Sequence, residues 1–203
     1  MDKERIRKSG VEHLEGIDPT TGYMGDWKSR LSDYEFNEKH PEDPCAWLTC
    51  ILALKGVSSG NFGIGCILVD GDYNIVGEGH NQVHKPYFRS DLHAEMVVMN
   101  KFEDEHKDLA NLKNYTLFTS LESCPMCMAR LISSGVKTIL HVSPDDRGGM
   151  VHKMQDLPEV WPEIARRQIF DQAKCSKDLI DAALQIFLLN VDALDNQLIA
   201  RRL

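Results

Sequence analysis

Helical and strand segments alternate through the middle of the chain, and this order constrains the fold more than any other feature. Between residues 44 and 143 the order is helix, strand, strand, helix, strand, helix, strand. The first two strands, "GIGCILVD" and "NIVGEGHN", are separated by "GDY", which predicts a hairpin. This alternation predicts an α/β fold: a three-layer α/β/α sandwich with a mixed open sheet that is parallel after the hairpin.

Local signals predict where the three core helices begin and end. The first helix is expected to have Asp43 as its cap, Pro44 at its first position and Gly56 at its end. Asp91 is the expected cap of the second helix, and Pro125 lies in the first turn of the third. Sites in such sheets lie at the carboxyl ends of strands, in the adjoining loops and helix starts, so chemistry is expected there.

The two flanking segments lack this alternation. Residues 1–43 are charged, with "DPTTGY" and "HPEDP" as turn signals, and are expected to form either short helices or an arm that packs on a partner. In residues 153–203, "PEVWPEIARRQIF" and "SKDLIDAALQIFLLNVDALDNQLIARR" are amphipathic and predict a C-terminal helical extension for packing or dimer formation. The predicted domains are an N-terminal arm at 1–43, a core at 44–152 and this extension.

Composition and charge indicate the cellular compartment and limit the classes of binding partner. The 203 residues, 42% of them hydrophobic, are enough for one substantial core. The formal net charge of -8 disfavours a nucleic acid partner, because a polyphosphate would repel the chain. The start "MDKERIRKSGVEHLEG" has no apolar run, and no stretch is long enough to span a bilayer, so no membrane association is expected. We therefore expect a cytoplasmic protein whose cysteines remain reduced.

Two cysteines and a histidine at predicted helix starts form a candidate metal site. Cys124 and Cys127 alone would fit a redox pair, a structural zinc site or a catalytic one. With His93 they offer two thiolates and an imidazole, which suit Zn²⁺, and three ligands leave the open position of a catalytic site. Glu95 follows His93 by two residues and is the predicted catalytic acid–base group beside a water at that position.

These residues carry a resemblance to a known family. The "HAE" at 93–95 and the "SCPMC" at 123–127 resemble the H-x-E…P-C-x-x-C signature of zinc-dependent nucleobase deaminases. Over residues 44–152 the chain is identified as a member of the cytidine/deoxycytidylate deaminase superfamily, most similar to its cytosine, guanine and tRNA adenosine deaminase branch. The family's proline before the first cysteine is Ser123 here, and Pro125 lies between the cysteines, as in the guanine deaminase form.

The resemblance also implies substrate contacts. The family places an asparagine after the second strand, a small-residue loop beside the base, backbone N–H groups at the helix starts and an aspartate after the last core strand. In "SPDDRGG", Asp146 is the better match to that aspartate and Asp145 is its neighbour. The predicted substrate-binding residues are Asn81, Phe62, Gly63, Ala94 and Asp146.

The resemblance implies a hydrolytic deaminase that uses Zn²⁺ and releases ammonia from a small guanine- or cytosine-like nucleobase or nucleoside. One alternative is a tRNA adenosine deaminase, which would need a basic groove that the sequence does not reveal. Another is a non-catalytic zinc-binding protein of deaminase type, which the presence of Glu95 disfavours. Related deaminases also imply a homodimer or a higher homo-oligomer.

Overall fold

The computed structural model describes residues 1–18 and 22–202, in which eight α-helices surround a five-stranded sheet. Residues 19–21, where part of the predicted "DPTTGY" turn falls, lie outside this description. The helices are α1 (Lys3–Glu15), α2 (Tyr23–Ser32), α3 (Asp43–Ser58), α4 (Ala94–Glu105), α5 (Pro125–Ser134), α6 (Val160–Ala165), α7 (Lys177–Leu188) and α8 (Val191–Ala200). The strands are β1 (Gly65–Val69), β2 (Ile75–His80), β3 (Thr116–Leu121), β4 (Thr138–Ser143) and β5 (Ile169–Gln172).

The sheet is mixed and open, as the sequence predicts. Its strand order is β2-β1-β3-β4-β5. Strand β1 is antiparallel to both β2 and β3, whereas β3, β4 and β5 run parallel. The antiparallel hairpin followed by a parallel portion is therefore confirmed.

Helices cover both faces of the sheet. Ile67 and Val69 of β1 pack in the same buried cluster as α3 and α7. Cys66 and Leu68 pack with α4 and α5 on the opposite face. Successive side chains of a strand point to opposite faces, so β1 contributes to both layers. This arrangement confirms the predicted three-layer sandwich.

Helix α3 is the buried centre of the fold, and the N-terminal residues form helices that pack on it. Thirteen of its 16 residues are buried, and it continues to Ser58, beyond the predicted end at Gly56. The indole Nε1 of Trp47 donates a hydrogen bond of 2.7 Å to the carbonyl oxygen of Leu31 in α2. Helix α1 lies so close to the indole that a Cβ added at Gly10 would be 2.2 Å from it. The predicted domain boundaries stay predictions.

Both predicted aspartate caps are wrong, because each carboxylate has a different partner. Asp43 lies inside the first turn of α3, where its buried carboxylate accepts a hydrogen bond of 2.7 Å from the backbone N–H of Ser176. Asp91 pairs with Arg89 at 2.7 Å, and His93 is the N-cap residue of α4. A carboxylate near a helix start accepts hydrogen bonds from the donors that the fold brings closest. Here these donors are not the backbone N–H groups of the helix's first turn.

The prediction of a helix through "QIF" is also wrong, because Ile169 and Phe170 belong to strand β5 and Gln168 directly precedes it. The side-chain amide of Gln168 donates to the carbonyl oxygens of Leu131 and Val136, at 2.9 and 2.8 Å. The backbone N–H of Ile169 then donates to the carbonyl oxygen of Lys137 at 2.9 Å, which starts the pairing with β4. A four-residue edge strand is stabilised by its neighbour rather than by local sequence, so periodicity does not reveal it.

The last amphipathic segment forms two helices, α7 and α8, that meet at Asn190. The side-chain amide of Asn190 donates a hydrogen bond of 2.8 Å to the backbone oxygen of Asn61. The start of α8 is thereby attached to the loop between α3 and β1. Within residues 1–18 and 22–202, no helix has the length and apolar character needed to cross a membrane.

The contact between α1 and α3 predicts an unusual response to Gly10→Ala. Alanine in a helix interior normally stabilises by about 1 kcal/mol relative to glycine. Here the new methyl group would collide with the buried indole of Trp47, so we expect the free energy of unfolding to fall by about 1–3 kcal/mol. Urea denaturation followed by circular dichroism measures this change.

Gly16→Ala is the matched control, because a Cβ there would meet its nearest atom at an ordinary 3.5 Å. We expect this variant to unfold within about 1 kcal/mol of the wild type. Wild-type stability of Gly10→Ala would contradict the docking of α1 on Trp47.

Candidate active site

The three predicted metal ligands converge at one edge of the sheet. His93 and Cys124 are the N-cap residues of α4 and α5, and Cys127 lies in the first turn of α5. The Nδ1 atom of His93 is 3.5 Å from Cys124 Sγ and 3.6 Å from Cys127 Sγ. The ligand atoms of the three residues all lie within 4.8 Å of one another. The convergence follows from strand register, because the carboxyl ends of β2 and β3 flank the start of β1.

The two thiols of this cluster differ in proton affinity. The hydrogen bond between Cys127 and Cys124, with the hydrogen bond to His93, outweighs the effect of burial and lowers the pKa of Cys124 to about 4. The same hydrogen bond with Cys124, burial and the nearby Glu95 raise the pKa of Cys127. The donor set therefore consists of two cysteine sulfurs that differ in proton affinity and one histidine ring. It fits Zn²⁺, which binds sulfur and imidazole nitrogen and displaces a coordinating thiol's proton.

Glu95 lies beside this cluster but outside the group of three ligands. Its side chain is buried, with Oε1 accepting a hydrogen bond of 2.9 Å from Ser123 Oγ. Its Oε2 accepts a hydrogen bond of 3.3 Å from Cys127 Sγ. Burial, with a smaller contribution from Cys124, raises the pKa of Glu95. The carboxylate is thus placed to hold a proton next to the metal ligands.

Ser123 has a role that sequence reasoning missed. The sequence marked it only as a departure from the family's proline, yet its buried hydroxyl orients Glu95. A proline at this position has no such donor. The backbone oxygen of Ser123 also accepts a hydrogen bond of 2.9 Å from Met150 N, which connects the cluster to the loop after β4. The sequence signal that could have identified this contact is a serine directly before the first cysteine.

A cavity of about 210 Å³ opens beside the cluster. Phe62, Ile64 and Leu121 form apolar walls contributed by the core. Phe187 and Leu198 add apolar surface from α7 and α8. The cluster and Glu95 therefore lie beside a largely apolar space of the kind that holds small molecules.

The predicted substrate residues divide into two groups. Phe62 and Asn81 line the cavity, whereas Gly63, Ala94 and Asp146 lie outside its lining. Gly63 allows the close approach of α7, because a Cβ there would be 2.6 Å from a backbone oxygen of that helix. Ala94 is fully buried among the apolar side chains between α4 and the sheet.

The loop after β4 places Asp145, rather than its exposed neighbour Asp146, in the cavity lining. The buried carboxylate of Glu122 fixes this loop at two points. Its Oε2 accepts a hydrogen bond of 3.1 Å from Asp145 N. Its Oε1 accepts bonds from the backbone N–H and Nδ1 of His152, at 3.0 and 2.7 Å. Sequence reasoning did not single out Glu122, although it directly precedes Ser123.

Asn81 offers a buried hydrogen-bond donor to the cavity. Its Oδ1 accepts a hydrogen bond of 3.0 Å from the backbone N–H of Val83, which fixes the orientation of the amide. Its Nδ2 is buried and has no hydrogen-bond partner within residues 1–18 and 22–202. Buried donors in proteins are usually paired, so this one indicates a ligand acceptor.

The C-terminal extension also reaches the cavity, although the sequence predicts that it serves packing or dimer formation. Phe187 lies near the end of α7, and Asp195 and Leu198 lie on α8. No local motif marks these three residues. Their position depends on how α7 packs against α3, and periodicity does not specify that contact.

Comparison with known families identifies the central part of the chain. Residues 44–143 match the family model described as "Cytidine and deoxycytidylate deaminase zinc-binding region". These residues are a deaminase zinc-binding domain. The resemblance inferred from "HAE" and "SCPMC" is therefore confirmed. The matched region contains α3 apart from Asp43, the first four strands and all three members of the His/Cys/Cys cluster.

Individual relatives carry different names within this family. A tRNA-specific adenosine deaminase of Haemophilus influenzae is 33% identical over 104 residues, which are 49% of this chain and 57% of that protein. A cytosine deaminase of Candida albicans is 27% identical over 88 residues, 43% of this chain and 57% of that protein. The chain thus spans less than two thirds of the length of these curated relatives.

A solved structure shares the fold. The guanine deaminase of Nitrosomonas europaea superposes with a TM-score of 0.56 at 19% sequence identity. The match covers 78% of this chain and 88% of that chain. At this identity the similarity concerns the fold alone, and it agrees with the mixed sheet and its two helical layers.

Proposed function

We propose that this protein is a zinc-dependent hydrolase that releases ammonia from an amino-bearing nucleobase or nucleoside. The observation that carries the proposal is the buried Glu95 carboxylate, which lies beside the His93, Cys124 and Cys127 cluster and lines one cavity together with His93 and Cys124. A structural zinc site is closed by four protein ligands. The cluster in the described part of the chain supplies three, next to a carboxylate that can carry a proton.

His93, Cys124 and Cys127 would hold the zinc ion. When bound, zinc supplies Lewis acidity that lowers the pKa of a water at its open position. Glu95 accepts a proton from the attacking water as the new C–O bond forms at the amino-bearing carbon. Glu95 then gives this proton to the ring nitrogen and transfers the remaining proton of the former water to the amino group. The C–N bond breaks, ammonia leaves and a carbonyl group remains.

The cavity supports a small heterocycle as the substrate. Its volume of about 210 Å³ is below the range of roughly 300–1,000 Å³ that is usual for drug-sized ligands. The apolar side chains of Phe62 and Leu121 suit the faces of a flat ring. The unpaired Nδ2 of Asn81 suits a ring carbonyl oxygen, and guanine and cytosine both carry one. These features favour a guanine- or cytosine-like base.

A tRNA adenosine deaminase is the second candidate, because the Haemophilus influenzae relative carries that name. This similarity makes tRNA the alternative substrate. Electrostatics favours the small molecule, since the chain has a net charge of -8 and carboxylates line the cavity. If no compound with an amino-bearing ring is deaminated, the remaining candidate is a non-catalytic zinc-binding protein.

We also propose that the protein forms a homodimer or a higher homo-oligomer. Val160 and Ile164 of α6 and Ile169 of β5 are about half exposed. Val160 and Ile164 are four residues apart and so lie on the same face of α6, and exposed apolar side chains that group together typically mark contact surfaces. Cytoplasmic localisation stays a prediction.

Ammonia release from zinc-loaded protein tests the proposed reaction. The panel contains the bases, nucleosides and nucleotides of guanine, cytosine and adenine, followed by tRNA. We expect one or more of the small molecules to react and Glu95→Gln to lower kcat by about 10²–10⁴-fold. Glu103→Gln, an exposed carboxylate on the same helix, is the control and should retain activity. Reaction with tRNA alone would favour the second candidate.

Zinc content tests the metal ligands separately from activity. We expect about one zinc ion per wild-type chain, and almost none in His93→Ala or Cys124→Ala, because fewer ligands remain. Cys175→Ala removes a buried cysteine that is remote from the cluster and should retain the metal. Elemental mass spectrometry measures the zinc content of the purified wild type and of the three variants. Equal zinc loss in Cys175→Ala would contradict the assignment.

The hydrogen bond from Ser123 to Glu95 predicts a selective effect on turnover. Ser123→Ala removes a hydroxyl that is 2.9 Å from the carboxylate, and we expect kcat to fall roughly tenfold while zinc content is kept. Ser123→Thr keeps the hydroxyl and should recover most of the activity. Ser133→Ala, at an exposed position on α5, is the matched control. Full activity of Ser123→Ala would show that Glu95 does not need this donor.

A further inference from the structure

The helix α8 contributes a charged group to the cavity of the proposed deaminase. We propose that Asp195 of this helix is a specificity-determining residue. Together with Asp145 it accepts hydrogen bonds from the hydroxyl groups of a ribose, so the substrate is an unphosphorylated nucleoside. This inference rests on the proposed function for the reaction, and it adds the part of the substrate that lies away from the reacting amino group.

Asp195 lies at the junction of two cavities. The inner cavity of about 210 Å³ is lined by His93, Cys124 and Glu95. An adjoining cavity of about 550 Å³ is not lined by these three residues. Asp145 and Asp195 line both spaces. A base that presents its amino group to Glu95 would therefore direct the substituent on its far side towards these two carboxylates.

Buried apolar contacts hold α8 at this wall. Val191 and Leu194 are buried in one cluster with Phe62 and Val83 from the pocket loops. Leu194 directly precedes Asp195, and the side chain of Asn190 fixes the start of the helix. Asp195 is consequently presented from a packed helix rather than from a free chain end.

A separate observation indicates that this cavity binds a ligand. Asn81 is 1% exposed, lines the inner cavity, and its Nδ2 has no hydrogen-bond partner in the part of the chain that the structure describes. A buried donor of this kind is costly unless a ligand satisfies it. The acidic groups therefore lie in a cavity for which an independent feature, the unpaired Asn81 donor, also indicates a ligand.

The carboxylates at the junction differ in how far they are already engaged. Glu122 is committed to the backbone N–H groups of Asp145 and His152. One oxygen of Asp145 accepts backbone bonds of 3.0 Å from Arg147 and Gly148. By contrast, the half-buried carboxylate of Asp195 forms no hydrogen bond or ion pair with residues 1–18 or 22–202. It is the acceptor with the most capacity for a ligand hydroxyl.

The surrounding charges disfavour a phosphate. Within the described residues, no lysine or arginine lines the inner cavity. Arg147 lines the adjoining cavity, where Asp145, Asp146 and Asp195 outnumber it. Arg201, one turn after Leu198, has its guanidinium 3.8 Å from the centre of the Phe88 ring. A 5′-phosphate at the junction would meet like charges, whereas ribose hydroxyls can donate to carboxylates, as they do in dinucleotide sites.

Equilibrium binding tests this inference without requiring turnover. Guanine, guanosine and guanosine 5′-monophosphate, with the matching cytosine and adenine series, are titrated calorimetrically into zinc-loaded Glu95→Gln protein. We expect one nucleoside to bind at least about tenfold more tightly than its free base and its 5′-monophosphate. Adding Asp195→Asn should weaken nucleoside binding about tenfold and leave binding of the base unchanged.

Asp192→Asn is the matched control, because it makes the same charge change at an exposed position on the same helix. It should change nucleoside binding by no more than about twofold. Thermal unfolding of both variants identifies any loss of folding, and Asp195→Glu, which keeps the charge, should retain the discrimination against the 5′-monophosphate.

The other possible results distinguish failure of this inference from failure of the proposed reaction. Equal effects of Asp195→Asn and Asp192→Asn, preference for the free base or the monophosphate, or no binding by any compound would overturn the inference. Ammonia release by wild-type protein alongside any of these results would leave the proposed deaminase reaction intact. The expected binding pattern without ammonia release would instead contradict the proposed reaction and support Asp195 as a nucleoside contact.

Discussion

The burial of α3 is the constraint on which the rest of the structure depends. Its sequence, "DPCAWLTCILALKGVS", is apolar around most of the helix, and 13 of the 16 residues are buried. A helix of this kind has no face suited to water and must be covered on all sides. The sheet covers one side, and α1, α2 and α7 cover the others. The segments outside the family domain are therefore needed to complete its core.

Covering α3 also builds one wall of the cavity. Helix α7 packs along α3, and Gly63 lets it pass close to the pocket loop. The chain then reaches Asn190, whose amide binds the backbone of Asn61, and continues as α8 across the cavity. Core packing and enclosure of the site are thus coupled through one helix. A change that loosens α7 is expected to affect both stability and ligand binding.

The sequence predicts the local parts of this molecule well and the long-range parts poorly. His93, Glu95, Cys124 and Cys127 lie in two short motifs whose chemistry is specific, and the fold only has to bring two helix starts together. The order of helices and strands is likewise a local signal. Asp195 and the strand β5 depend on tertiary contacts that no window of sequence contains. The wrong cap at Asp43 has the same cause, because its partner Ser176 is distant in sequence.

Ser123 departs from the family pattern, and this departure changes the interactions that hold the site together. A proline before the first cysteine restricts the backbone, and this chain has a residue with a free hydroxyl there instead. The rigidity that proline would supply is replaced by contacts: the backbone oxygen of Ser123 accepts from Met150 N, and the adjacent Glu122 fixes the loop at Asp145. With the backbone held in this way, the hydroxyl is free to orient Glu95. The same loop thus positions both the Glu95 carboxylate and a wall of the cavity.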